Sequence, residues 1–166
     1  MASSVEECEE LCSLAERCGL VLMVDHTFLY TSAVQKIKEL VTSDVTGQLL
    51  YFDSVRVNLG LVQPHHNVVW DLAPHDLSIL LYLLRERPMA VSAIGACHVK
   101  HTDKALATMA YLTLKMRSGV LAHIHVNWLS PVKVRRTLIA GTKRMIVYDD
   151  LEPDEKVKVY DKGVLS

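Results

Sequence analysis

The residues with most chemistry to offer sit in the stretch Trp70-Asp71-Leu72-Ala73-Pro74-His75-Asp76. A carboxylate and an imidazole four positions apart face the same way on an α-helix, the spacing that lets an acid orient a proton-accepting histidine. If the helix opens at Asp71, both lie in its first turn. There the positive end of the helix dipole disfavours imidazolium, so His75 stays neutral and can take a proton near pH 7. The same two residues also fit a plainer role, with Asp71 capping the helix and His75 a satisfied polar group beneath it.

Other polar residues offer less. His123 and His125 flank Ile124 on a strand and point to one face with Asn127, opposite Ala122, Ile124, Val126 and Trp128. His-x-His on a strand is also a metal-ligand spacing, but the further ligands, His98 and His101, come without fixed spacing, so a polar sheet face or an interface fits better than a metal site. His65-His66 reads as a solvated loop pair. His26 and Tyr30 emerge from the end of an apolar run, where ligand contacts are common. Cations open to an anionic ligand are Arg56, on one strand face with Asn58, and Lys133, Arg135 and Arg136; the last two face opposite ways.

These residues need elements to hold them. Ser4-Val5-Glu6-Glu7 is a capping box, followed by Val5, Cys8, Leu11, Cys12, Ala15 and Cys18 at helical spacing and by Gly19 as a stop. Leu20–Val24 is a continuous apolar run of strand length, the pattern of a strand covered on both faces. A second helix spans about Ser32–Val41, and a third runs from about Asp71 to Arg85, with leucines around most of its circumference. Leu49–Asn58 alternates as a strand. After Met89 only strands follow: Ala90–Val99, Ala105–Met116, Val120–Leu129, Val132–Gly141, Arg144–Asp149 and Lys156–Tyr160. Ser118-Gly119 and Gly141-Thr142-Lys143 are hairpin signals. The order predicts an α+β fold, a mostly antiparallel open β-sheet with helices packed on one face.

The chain has 166 residues, half of them hydrophobic, enough for a single domain with its own core over residues 1–166. Lys plus Arg is 18 against 19 for Asp plus Glu, a formal net charge of -1, which gives no reason to expect nucleic acid or an anionic membrane as partner. No apolar run reaches the roughly 20 residues of a membrane span, and the first ten residues carry acids and no base, unlike a secretory signal. Cys8, Cys12, Cys18 and Cys97 lack zinc spacing and read as small core residues in a reducing, cytoplasmic setting.

Three stretches together resemble a known family: Val24–Tyr30, Trp70–Asp76, and His123–Trp128 through Gly141-Thr142-Lys143. They are similar to the C-terminal domain of the glucose–fructose oxidoreductase/inositol dehydrogenase family, over nearly the whole chain. The likeness leans toward the branch that oxidises UDP-N-acetylglucosamine-type sugar nucleotides and their uronates with NAD. That resemblance implies His75 as proton acceptor or relay, Asp71 as its partner, and Tyr30, Arg56, Trp70 and Asn127 near the sugar or the nicotinamide. It implies a sugar or UDP-sugar substrate, NAD or NADP as cofactor of the full-length family, and a homo-oligomer joined through the sheet face. The chain departs from the family pattern too. Its seven glycines include no G-x-G-x-x-G, and the family's Glu-Lys-Pro segment, with its catalytic lysine, is not matched by Lys36 or Lys38. The expectation is therefore a substrate-binding and partial catalytic domain that binds no cofactor and is inactive alone. The alternative is a stand-alone interaction or dimerisation domain with idle site residues.

Overall fold

Alternation from Leu49 onward becomes one seven-stranded sheet in the computed structural model, which describes residues 2, 4–60, 62–99 and 105–161. The strands are β1 (Leu49–Leu59), β2 (Pro88–Ala96), β3 (Met109–Met116), β4 (Leu121–Asn127), β5 (Leu129–Gly141), β6 (Met145–Asp149) and β7 (Val157–Tyr160). Their order is β2-β3-β4-β1-β5-β6-β7, so the first strand in sequence lies at the centre. It runs parallel to β4, and every other pair is antiparallel. Both expected hairpins form, β3–β4 through Ser118-Gly119 and β5–β6 through Thr142-Lys143. Gly141 must be glycine, because a Cβ there would collide with the backbone of Thr46.

Two of the three helices cover one face of this sheet. Helix α2 (Ser32–Thr42) turns Val34 and Ile37 inward beside α3 (Val68–Leu84), which lies across β1, β3 and β4. Their apolar residues meet Ile124, Met116 and Trp128 from the strands, all almost wholly buried. Lys38 is buried in α2, and its Nζ donates at 2.9 Å to the Leu83 carbonyl at the C-terminus of α3, satisfying an orphan acceptor with a cation where the helix end is negative.

The third helix opens earlier than its sequence suggests. Asn67 is the N-cap, its Oδ1 accepting from the N–H groups of Val69 and Trp70 at 3.1 Å each. Asp71 is therefore the fourth helical residue and His75 the eighth, with Pro74 inside the helix. The β-branched pair Val68-Val69 gives the first turn the look of a loop, and Pro74, a residue favoured at helix starts, lies in the second turn instead.

Two further expectations fail at the N-terminus. Helix α1 (Val5–Cys18) forms, capped by Ser4 and stopped by Gly19 at φ +62°, but it buries none of its residues. Cys8, Cys12 and Cys18 are consequently not core residues, and Cys97 is half-exposed; all four thiols are free. Leu20–Val24 is not a strand, and its exposure runs from 41% at Val24 to 95% at Val21. A strand covered on both faces needs neighbours on both edges, and the sheet described here offers it none. Deleting residues 1–24 is accordingly expected to leave the melting temperature unchanged to within about 2 °C, since little apolar burial is lost; differential scanning calorimetry of the truncated and intact chains checks this. Among the described residues no helix is long and apolar enough to cross a membrane.

Candidate active site

Helix α3 carries the site along one edge. Asp71 and His75 are one turn apart on it, and each meets a different set of neighbours. Asp71 Oδ2 accepts from the indole Nε1 of Trp128 at 2.9 Å, so this buried residue between β4 and β5 fixes the carboxylate. The His66 ring packs edge-on to the same indole, centroids 6.5 Å apart. Around them opens a cleft of about 670 Å3 lined by His65, His66, Asn67, Trp70, Asp71 and Leu106, together with Ala2 and Glu7.

His75 sits one turn further on, half-buried, with its ring edge-on to Phe28 at a centroid distance of 5.1 Å. Phe28 belongs to a 3-10 turn, Thr27–Tyr30, that lies against both α2 and α3. On the Phe28 ring also rests the guanidinium of Arg56, 4.6 Å from the centroid. Arg56 in turn donates through Nε and Nη2 to Asp76 Oδ2 and Oδ1 at 2.7 and 3.0 Å, a bidentate pair whose side chains are 4% and 2% exposed. Burial holds His75 below the ordinary histidine value of 6.5, Arg56 pushes in the same direction, and Asp76 opposes. The dipole of α3 fades within its first turn, so desolvation and a neighbouring cation, not the helix end, keep this imidazole neutral.

The structure brings some of the sequence-derived residues together and separates others. His75, Asp71 and Trp70 share α3, and Trp70 is 56% exposed at the cleft. Asp71 bonds to Trp128 and raises His75 only weakly through its charge. Tyr30 lies in the same short turn as Phe28 and is exposed. Arg56 is not an open cation for a ligand; it is 3% exposed and committed to Asp76. Arg135 is the more accessible guanidinium, 6.0 Å from the Phe28 centroid and bonded through Nη1 to Asp150 at 3.2 Å. Asn127 faces away from α3, on the sheet side that carries His123 and His125, and its Oδ1 accepts from the Leu129 N–H within its own turn. The last two histidines do not gather a metal-ligand set: among the described residues no group of three or more histidines, cysteines or carboxylates forms one, and His101 lies outside the described residues.

Phe28, Asp76 and Trp128 were not singled out as site residues by sequence reasoning, and His66, expected as a solvated loop residue, is half-buried against Trp128 in the cleft. One signal was present for Asp76. Strand alternation puts Arg56 on the helix-covered face with Phe52 and Ser54, and a cation there requires a buried acid.

Comparison with known proteins agrees with this architecture. The sequence pattern of the GFO/IDH/MocA C-terminal domain matches residues 34–147, more than half of the chain. UDP-N-acetylglucosamine 3-dehydrogenase of Acidithiobacillus ferrooxidans is 28% identical over 161 residues, which cover 95% of this chain and 48% of that enzyme. A solved structure of that dehydrogenase, GnnA, superposes with a TM-score of 0.77 at 24% identity over 98% of this chain and 52% of its own. The WlbA dehydrogenase of Bordetella pertussis, solved with NADH and UDP-GlcNAcA, shares the fold with a TM-score of 0.82 at 14% identity, covering 94% of this chain and 50% of WlbA. The chain thus spans about half the length of the relatives it matches. Because that pattern runs through most of the sheet and both covering helices, the chain belongs to the GFO/IDH/MocA family through that family's C-terminal domain.

Proposed function

We propose that this chain is the substrate-binding and proton-accepting part of an NAD(P)-dependent oxidoreductase acting on a CH–OH group of a sugar nucleotide. The observation that carries this reading is His75, an imidazole kept neutral by burial and by Arg56, one helical turn from a cleft. A neutral imidazole is able to accept the hydroxyl proton of the substrate's CH–OH group, which is this chain's own part in the oxidation. The nicotinamide, when bound, supplies the hydride acceptor. Asp71, fixed by Trp128, shapes the cleft and favours the imidazolium formed after proton transfer. The exposed face of Trp70 gives a sugar or a planar ring a surface to stack on. The kinship with UDP-N-acetylglucosamine 3-dehydrogenase supports a UDP-sugar as substrate.

In this reading the cofactor is held by another part of the enzyme. The bare apolar stripe of α1 and the exposed run Leu20–Val24 are surfaces that such a part would cover. The setting is the cytoplasm, where free thiols stay reduced, and the assembly is a homo-oligomer joined through the sheet face that α2 and α3 leave uncovered. That open face suits a stand-alone interaction domain with idle site residues as well.

Calorimetric titration separates the two roles. The chain is expected to bind UDP-N-acetylglucosamine or its uronate, to lose that binding in His75→Ala, and to keep it in His123→Ala on the opposite sheet face. NAD is expected not to bind the 166 residues tightly by themselves. UDP-sugar affinity identical in both variants, or absent from the unaltered chain, overturns the proposal in favour of the interaction domain.

A further inference from the structure

Around Phe28 the helix-covered side of the sheet gathers more positive charge than it neutralises. Arg56 on β1 and Arg135 on β5 stand directly opposite each other in register, so both side chains leave the same face. Arg56 is closed off by its bidentate pair with Asp76 and offers nothing to a ligand. Arg135 is different. Its side chain is 33% exposed, and its one hydrogen bond among the described residues runs from Nη1 to Asp150 Oδ2 at 3.2 Å. A guanidinium has five N–H donors, so most of this one is unused.

Asp150 anchors Arg135 without cancelling the local charge. Its Oδ1 accepts from the Tyr148 hydroxyl at 3.2 Å and lies 3.6 Å from Lys156 Nζ. Two cations share one carboxylate, and one positive charge is left over. Burial works against the charge on Asp150, but hydrogen bonds from Arg135 and Tyr148 outweigh it and hold the carboxyl below its ordinary value. Asp150 is therefore ionised at neutral pH and keeps its grip. Tyr148 is almost wholly buried, and burial, then Asp150, push its hydroxyl well above the ordinary tyrosine value, so it stays a donor. The arginine is thus steadied from inside the fold while its remaining donors are open.

Phe28 links this cation to the reacting end of the site. The Arg135 guanidinium is 6.0 Å from the ring centroid, and the His75 ring meets the same ring edge-on at 5.1 Å. After burial and Arg56, Arg135 also adds to the lowering of His75. A sugar whose hydroxyl meets His75 therefore brings its other ring substituents into the neighbourhood of Arg135.

We infer that Arg135 receives a carboxylate on the same sugar ring whose hydroxyl His75 deprotonates, so that the chain favours a sugar acid over the corresponding neutral sugar. The inference rests on the proton-accepting role of His75 proposed above and adds the charge of the substrate and the residue that reads it. A guanidinium fork meets a carboxylate through two parallel N–H···O bonds, and Arg135 has the donors for both while Asp150 holds another. A hydroxymethyl group in that place leaves the surplus charge uncompensated. A diphosphate also suits the fork, but it is common to both sugar nucleotides and gives no preference between them.

Isothermal titration of the 166-residue chain with UDP-N-acetylglucosamine and with its uronate tests this, since the two differ by a carboxylate in place of a hydroxymethyl. The intact chain is expected to bind the uronate about ten- to hundredfold more tightly, the usual weight of hydrogen bonds between charged groups. Arg135→Met is expected to erase that preference by weakening the uronate far more than the neutral sugar nucleotide. Arg135→Lys, which keeps the charge without the fork, should retain part of it and serves also if Arg135→Met folds poorly by circular dichroism. Equal affinities for the two ligands in the intact chain, or a preference that survives Arg135→Met, overturn the inference and leave the sugar-nucleotide reading standing. A loss shared equally by both ligands assigns Arg135 to the diphosphate and overturns it as well. If neither ligand binds the intact chain, the two readings fall together.

Discussion

Asp76→Ala is expected to destabilise the domain by about 3–5 kcal/mol, because it leaves the Arg56 guanidinium buried with no counter-charge. The pair is bidentate, at 2.7 and 3.0 Å, and both side chains are almost fully enclosed between β1, α3 and Phe28. Water cannot take over when the carboxylate goes. The double variant Arg56→Met, Asp76→Leu keeps the volume without the charges and is expected to recover most of the loss, since a buried pair replaced by matching apolar groups is close to neutral. Urea unfolding of the three variants measures this directly. A loss under about 1 kcal/mol in Asp76→Ala would mean that solvent reaches the guanidinium. The same pair also sets the position of α3 on β1, so its failure would displace His75.

His75→Ala is expected to lower kcat in the complete dehydrogenase by about 10²–10⁴-fold, the usual weight of a positioned general base. The pH profile gives a sharper test than the loss itself. A proton acceptor works only when neutral, and burial and Arg56 depress the His75 value. The rate should therefore stay level as pH falls from 8 to about 6.5, the ordinary histidine value, and drop only below it. A rate that already falls above that point would assign the proton to another group. His75→Gln should flatten the acid limb while keeping UDP-sugar affinity nearer to that of the intact chain than His75→Ala does.

Much of the sheet could be read from the residue order. Period-two alternation and two glycine turns located seven strands, and the same alternation put His123 and His125 opposite Ile124. What escaped was pairing over distance. Nothing local connects Arg56 to Asp76 or Trp128 to Asp71, because those partners meet only once α3 lies across β1 and β4. Asn127 shows the limit from the other direction: its side of the strand was legible, but which side faces His75 was not. The opening of α3 is hidden for a local reason, since Val68-Val69 favours extended backbone and Pro74 suggests a start one turn too late. Leu20–Val24 has the composition of an inner strand and lacks a sheet to enter.

The central place of β1 has a consequence for how the chain acquires its shape. During synthesis β1 emerges first among the strands, yet its two neighbours, Leu121–Asn127 and Leu129–Gly141, follow only after α3 and two outer strands. At about 5–20 residues per second, the middle of the sheet waits seconds with both edges open, and the closing contacts span long loops. Such distant pairings slow folding. A charge such as Arg56, set on the inward face of β1, is a feature that disfavours pairing of an open strand with another chain.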